Sequence, residues 1–315
     1  MADIYMHQRL AKEFSQAHSD LLEPYVMLGS QGPDPLYYLV FNQYFKHARM
    51  IGDRLHDTNI NTLFVTMTNY VKQHYSERLY SFYVGFLLHF ALDTNIHPYV
   101  YHHVGVYDAN DKKTFKMRGL HLRFERRIDA CLIEEDTEKK AHLYRLASAL
   151  PLKRVPKEIA DMMETVIYET LHISGGGALF AKSYRRMKWV VRHMIKDRTG
   201  IKRYLFKFFD RFNKTRDLFF IDFSFRKLPL KGYDYLNRNR KTWYHPVTNH
   251  PSHKTVDDCY LDAYQDAVRY VNTVSKYIKE DIVFDFDKLF KNRSFNSGID
   301  ADDSRPMQYI SLFTE

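Results

Sequence analysis

The segment Leu79–Leu92 constrains the fold more than any other part of the chain. It runs 14 residues without an Asp, Glu, Lys or Arg, and its apolar character continues to Ile96. A helix needs ~18 or more such residues to span a bilayer, so this one is too short to cross a membrane. Apolar nearly all round, it predicts a helix over Leu79–Ile96 buried at the centre of a globular chain. Yet His89 and Asp93 lie inside it, and His97-Pro98 follows at once. Each step of four in a helix turns the chain by about 400°, so His89, Asp93 and His97 fall within roughly 80° of one face. A buried charge needs a partner or a metal, and two imidazoles with a carboxylate form a donor set that suits zinc. The residue before a proline disfavours the helical region. The helix is therefore expected to end near His97, with His102 and His103 in a loop.

The remainder of the sequence is also helical in pattern. Gly and Pro together number only 22 of 315 residues, against a β-sandwich or a long disordered linker. With 45% hydrophobic residues the chain can bury a sizeable core, and 16% aromatics point to a large core, an apolar pocket or both. Helical periodicity runs through Ile60–Tyr75, His121–Leu132, Lys157–Ile173, Ser183–Arg198 and Val256–Tyr277. Gly175-Gly176-Gly177 is expected to close the Lys157–Ile173 helix. Ser30–Pro35 and Pro246–Ser252 read as loops, and Phe219–Phe225 is the best strand candidate. The expectation is one all-α domain over residues 1–315, with about eight to ten helices. Only Cys131 and Cys259 are present, which excludes a disulfide framework and a cysteine-based zinc cluster. His7, Gln8 and Arg9 interrupt Met1–Ala11, so no signal peptide is expected there and the location is expected to be cytoplasmic.

Ten of the 16 histidines fall in the first 121 residues. His121 and Glu125 form a second pair at helical spacing. His56 follows a helical turn, and His7 lies near the start of the first helix. Asp34 is held between Pro33 and Pro35, which present its carboxylate rigidly. Taken singly, each of these reads more readily as a surface pair or a satisfied core pair than as a site. His18, His47 and His74 lack a partner at useful spacing and read as structural.

Taken in order, His7, Asp34, His56, His89-x3-Asp93, His97 and His121-x3-Glu125 resemble the zinc-dependent phospholipase C family, whose fold and metal arrangement the single-strand-specific zinc nucleases share. The ordered set covers residues 1–130. The resemblance implies a multi-helix protein with two or three zinc ions at the base of a cleft. It implies hydrolysis of a phospholipid-type phosphodiester to diacylglycerol and a phosphorylated headgroup. By matching position, His56, His89 and Asp93 would hold one zinc, and His97, His121 and Glu125 a second. His7 would hold a third together with a bridging Asp93. Asp34 would be the catalytic residue at the cluster's edge, orienting or deprotonating the attacking water. Asp129, one turn after Glu125, is a candidate to orient the imidazoles.

Charge is unevenly placed. Lys182–Lys241 holds 19 Lys and Arg against 5 Asp and Glu, whereas the rest of the chain holds 28 against 33. Within it, Lys202–Arg216 interleaves cations with aromatics and could meet an anionic membrane surface or nucleic acid. An ordinary amphipathic helix with its aromatic face buried explains the pattern equally well. Trp243 could line the substrate cleft or anchor a loop in the core. Three alternatives to the phospholipase reading stay open. One is an HD-type metal phosphohydrolase built on His56-Asp57. The second is a single-strand nuclease. The third is a non-catalytic protein that keeps the metal for structure and binds an anionic partner.

Overall fold

One helix organises the molecule. In the computed structural model, residues 4–40, 42–197, 199–212, 219–226, 228 and 232–313 are described. Among them are eleven α-helices: α1 Ile4–Ala17, α2 Glu23–Gly29, α3 Phe45–Asp57, α4 Ile60–Gln73, α5 Glu77–Val104, α6 Leu120–Thr137, α7 Lys157–Leu171, α8 Gly176–Val190, α9 Ile201–Asp210, α10 Val256–Glu280 and α11 Phe286–Phe290. The central helix is α5. Every residue from Leu79 to Thr94 is buried, and α2 and α10 pack along it with α1, α4 and α6. Strand is limited among these residues to a hairpin in which Trp243–Tyr244 pairs antiparallel with Pro251–Ser252.

The approach of α2 to α5 is backbone on backbone. A methyl group on Gly29 would fall 1.9 Å from the Phe82 carbonyl oxygen, and one on Gly85 would fall 2.1 Å from that of Val26. Only glycine permits this, and the closeness lowers the Ser30–Asp34 turn onto the middle of α5. The turn leads into a 3-10 segment, Asp34–Tyr38, against which α3 packs.

Several local expectations need correcting. Pro98 does not end α5, which continues to Val104 with Pro98 inside it, so His102 and His103 lie on its last turn rather than in a loop. A proline in a helix leaves the carbonyl four residues earlier without its N–H. Here that carbonyl, Thr94 O, accepts from Arg293 Nη2 at 3.5 Å. The glycines after α7 open a helix instead of closing one. α7 stops at Leu171, where His172 takes the left-handed cap conformation, and Gly175 is the N-cap of α8. The Glu164 carboxylate accepts from the backbone N–H of Gly175 and Gly177 at 2.6 and 2.8 Å. Gly177 lies so near the Ala160 carbonyl oxygen that a Cβ would come within 2.1 Å. Phe219–Phe225 is not a strand; Phe220–Phe223 is a 3-10 turn whose Asp222 is drawn to Arg123 on α6 at 3.0 Å. Pro246–Ser252 is not wholly loop, since its last two residues form the second strand of the hairpin. Ser183–Arg198 falls on α8 and a π-helical turn at Val191–Ile195, with Arg198 outside the described residues. Trp243 is a core anchor: buried, it donates from Nε1 to Lys254 O at 3.0 Å and meets Tyr99 edge-on.

Candidate metal centre

Five parts of the chain bring donors to one place. α1 supplies His7 and the Pro33–Pro35 corner supplies Asp34. α3 supplies His56, α5 supplies His89, Asp93 and His97, and α6 supplies His121 and Glu125. Three trios result: His7 with His89 and Asp93; Asp34 with His56 and His89; and His97 with His121 and Glu125. Within each trio the ligand atoms lie within 4.8 Å of one another. The Asp93 carboxylate is the hub. His89 Nε2 is 3.1 Å from it, His7 Nε2 3.4 Å, and the Nε2 atoms of His56 and His97 are each 3.8 Å away. Asp34 Oδ1 is 3.3 Å from His56 Nε2. Glu125 Oε1 lies 2.9 Å from His121 Nε2 and 3.3 Å from His97 Nε2. All are buried except His121, whose side chain is 28% exposed.

The backbone sets the ring orientations. Nδ1 of His56 meets the Gly52 carbonyl at 2.7 Å, Nδ1 of His89 meets that of Ser30 at 3.1 Å, and Nδ1 of His97 meets that of Phe295 at 2.7 Å. A carbonyl oxygen only accepts, so Nδ1 carries the proton in each ring and the Nε2 lone pair points inward. Gly32 lies on the His89 ring with φ of 50°, and a Cβ there would come 2.2 Å from Cδ2. Asp129 acts through the main chain. Its carboxylate accepts from the N–H groups of Tyr5 and Met6 at 2.7 and 3.1 Å, fixing the first turn of the helix that carries His7.

This arrangement fits a cation. Both ring nitrogens of His7, Nε2 of His56 and of His89, and Oδ1 of Asp34 are buried without a hydrogen-bond partner. Inward lone pairs facing carboxylate oxygens at these distances repel unless a positive charge lies between them. Burial pushes the His89 and His121 pKa values down, which keeps those rings neutral. Burial also works against a charged His56, but the Asp34 carboxylate outweighs it and raises that pKa. For Asp93, burial is outweighed by His89 and His97, and for Glu125 by His121, so both carboxyls stay well below the usual range. Neutral imidazoles and ionised carboxylates are the forms in which these groups ligate metals.

The family of the chain follows from its match to a family model, that of zinc-dependent phospholipase C, over residues 4–174, more than half of its length. The chain belongs to the zinc-dependent phospholipase C family. No curated protein and no solved structure matches it. The matched span contains every donor of the three trios. The cluster of this family member lies at the base of a cleft of about 490 Å³, whose lining includes the buried His56 and the part-exposed His121 with Phe45, Tyr37, Tyr101 and Tyr107. Asp57, which the HD-type alternative requires as a ligand, stands outside all three trios. Its carboxylate is engaged by Ser294 Oγ and, at 2.8 Å, by Asn296 Nδ2. The carbonyls of Ser30, Gly52 and Phe295 were not legible from sequence, because a backbone acceptor leaves no residue signature. Gly52 is four before His56, a spacing that a helix reading could have flagged. No helix among the described residues is long and apolar enough to cross a membrane.

Proposed function

We propose that this member of the zinc-dependent phospholipase C family hydrolyses a phospholipid-type phosphodiester, with His7, Asp34, His56, His89, Asp93, His97, His121 and Glu125 around two or three zinc ions. The observation that carries the reading is the convergence of buried, inward-facing donors beneath an aromatic-lined cleft. When bound, zinc lowers the pKa of water toward ~7 and polarises a phosphate oxygen. The protein supplies the rest. Asp93, a member of the His7 trio that also approaches His56 and His97 of the other two, would tie the trios together. Asp34 Oδ1 takes the proton of the attacking water at the edge of the cluster. Tyr37 and Tyr101, whose pKa values burial pushes far up, remain phenols in the cleft wall; Tyr101 O–H donates to Asn296 Oδ1 at 3.1 Å and would turn from it to reach a phosphate oxygen. The apolar remainder of the wall suits the glycerol and first acyl carbons of a lipid better than a nucleotide base and sugar.

The test is elemental analysis of the purified protein beside His89→Ala and Glu125→Ala, with turnover of water-soluble choline-type and nucleotide-type phosphodiesters. The reading expects two to three zinc ions per chain, fewer in both variants, and faster cleavage of the choline-type ester. Wild-type protein that neither carries zinc nor takes it up would overturn it.

A further inference from the structure

α9 carries an apolar stripe that faces outward. Ile201, Tyr204, Leu205, Phe208, Phe209 and, just past its end, Phe212 recur at the spacing of one helix face, and all are half exposed or more, Tyr204 72% and Phe212 71%. The stripe that helical globular proteins turn into the core is here turned away from it. Of the readings left open for Lys202–Arg216, the one with the aromatic face buried does not hold for this stripe, while residues 213–216 of that segment lie outside the described residues.

The helix is nevertheless firmly held. Ten residues form little helix alone. At its start, the buried Asp197 carboxylate accepts from the N–H of Gly200, Lys202 and Arg203 and from Ser224 Oγ. At its end, Asp210 accepts from the N–H of Phe220 and Ile221 at 2.7 and 2.8 Å. Phe206 turns inward and stacks with Phe220. Fixed anchors thus hold an apolar face in water, which is an expensive arrangement unless something covers it.

A second feature borders the first. A cavity of about 380 Å³ is lined by His142, Arg145, Arg192 and Lys196 with no Asp or Glu among its described lining residues. Lys196 adjoins the residue that caps α9, and Phe225 of the same lining adjoins Arg226, whose carbonyl accepts from Arg203 on α9. The metal cleft is next door: Val190 and Phe223 line it, while Val191 and Phe225 line the cationic cavity. Trp189, 43% exposed, and Tyr44, each beside a cleft-lining residue, carry Arg186 and Lys182 over their rings.

We infer that α9 and the neighbouring cationic cavity form a docking surface for an anionic phospholipid bilayer, with the α9 stripe entering the headgroup–acyl boundary and the cavity taking a lipid phosphate. Charge complementarity and aromatics flanked by cations favour this occupant. A second copy of the chain would bring like-charged cavities together. Nucleic acid would leave Ile201 and Leu205, which cannot stack as aromatics do, exposed within the stripe. The placement rests on the proposed lipid substrate only for its purpose, since it brings the cleft to the bilayer. The binding itself needs no turnover.

The test is co-sedimentation of the zinc-loaded chain with phosphatidylcholine vesicles, with or without phosphatidylglycerol, alongside turnover of a water-soluble phosphodiester read separately. Wild type should bind the mixed vesicles and bind less as salt rises. Phe208→Ser with Phe209→Ser should lose ~10-fold or more in partitioning on both vesicle types. Arg192→Ala with Lys196→Ala should lose roughly 10-fold on the anionic vesicles alone. Unchanged zinc content and melting temperature would show that both variants fold. Failure of wild type to bind anionic vesicles overturns the inference even where the soluble ester is cleaved. So does a dimer, or binding to a single-stranded oligonucleotide, that the paired Phe variant abolishes while vesicles stay unbound. Vesicle binding without turnover leaves the docking surface standing and sinks the hydrolase reading instead.

Discussion

Gly32 is the least replaceable small residue around the cluster, because two penalties coincide there. Its positive φ disfavours any L side chain, and a Cβ would overlap the His89 ring. Gly32→Ala should therefore shift His89 and release zinc from the trios that share it, measurable as a lower zinc-to-protein ratio in chain that is still helical by circular dichroism. Asp34→Asn should separate ligation from proton transfer. If Asp34 is the base and not a ligand, zinc content should stay at the wild-type value, the Asp34–His56–His89 trio included, while turnover falls by ~100-fold or more. A third residue-scale effect concerns stability. Burial, with the neighbouring His102 charge, lowers His103 to about 3 from its ordinary 6.5. The unfolded chain thus binds the proton more tightly than the folded one. Stability is full above the ordinary value and is lost as pH falls from about 6.5 toward about 3, by roughly 2 kcal/mol at pH 5 from this ring alone. Melting of His103→Gln against wild type between pH 7 and 5 should show a shallower decline in the variant. At this scale the sequence was informative where side chains repeat at i and i+4, as in His89, Asp93 and His97 or His121 and Glu125. It was silent where the partner is main chain, as for His97, whose orienting carbonyl lies 198 residues away.

Elements were legible in their interiors and misjudged at their ends, and the causes are tertiary. α5 passes through Pro98 because Arg293 from the far end of the chain covers the Thr94 carbonyl, a compensation that no local window contains. Gly175–Gly177 open α8 because Glu164 on α7 caps their N–H groups, whereas composition alone marks the same glycines as a stop. The sequence leaves the α9 segment open between an outward and a buried aromatic face, because amphipathicity does not say which face meets the protein. The α2–α5 crossing gives the element-scale prediction. Gly85→Ala would set a methyl 2.1 Å from the Val26 carbonyl oxygen, and neither backbone can yield without lifting the Ser30–Asp34 turn off His89. The expected cost is about 3 kcal/mol, at the upper end for overpacking, read as a lower urea midpoint with unchanged slope.

For the whole molecule, the metal centre and the core are one construction. Zinc would join α1, α3, α5, α6 and the Pro33–Pro35 corner, segments spread over more than a hundred residues of sequence. A ligand that binds only the folded chain at about 100 times its dissociation constant adds roughly 2.7 kcal/mol. Chelation should therefore lower the melting temperature by about 5 °C for each such ion removed, with recovery on adding zinc. Glu125→Ala should show a smaller shift than wild type. The all-α architecture was legible because the chain is poor in Gly and Pro and periodic almost throughout, and because the uncharged run at Leu79–Leu92 could only be central. The outward stripe beside the cleft was not, since it depends on how Asp197 and Asp210 dock one short helix. The Phe295 carbonyl also bears on biosynthesis. Every candidate metal donor has been synthesised once Glu125 is made, yet the acceptor that turns His97 inward is Phe295 O, translated long after Glu125. A nascent chain therefore carries all the candidate ligands before it can arrange them. A frameshift that spares the whole matched family region but falls before Phe295 would still deliver a protein with a misaimed His97, so in this chain lesions that disturb the site should reach well beyond that region.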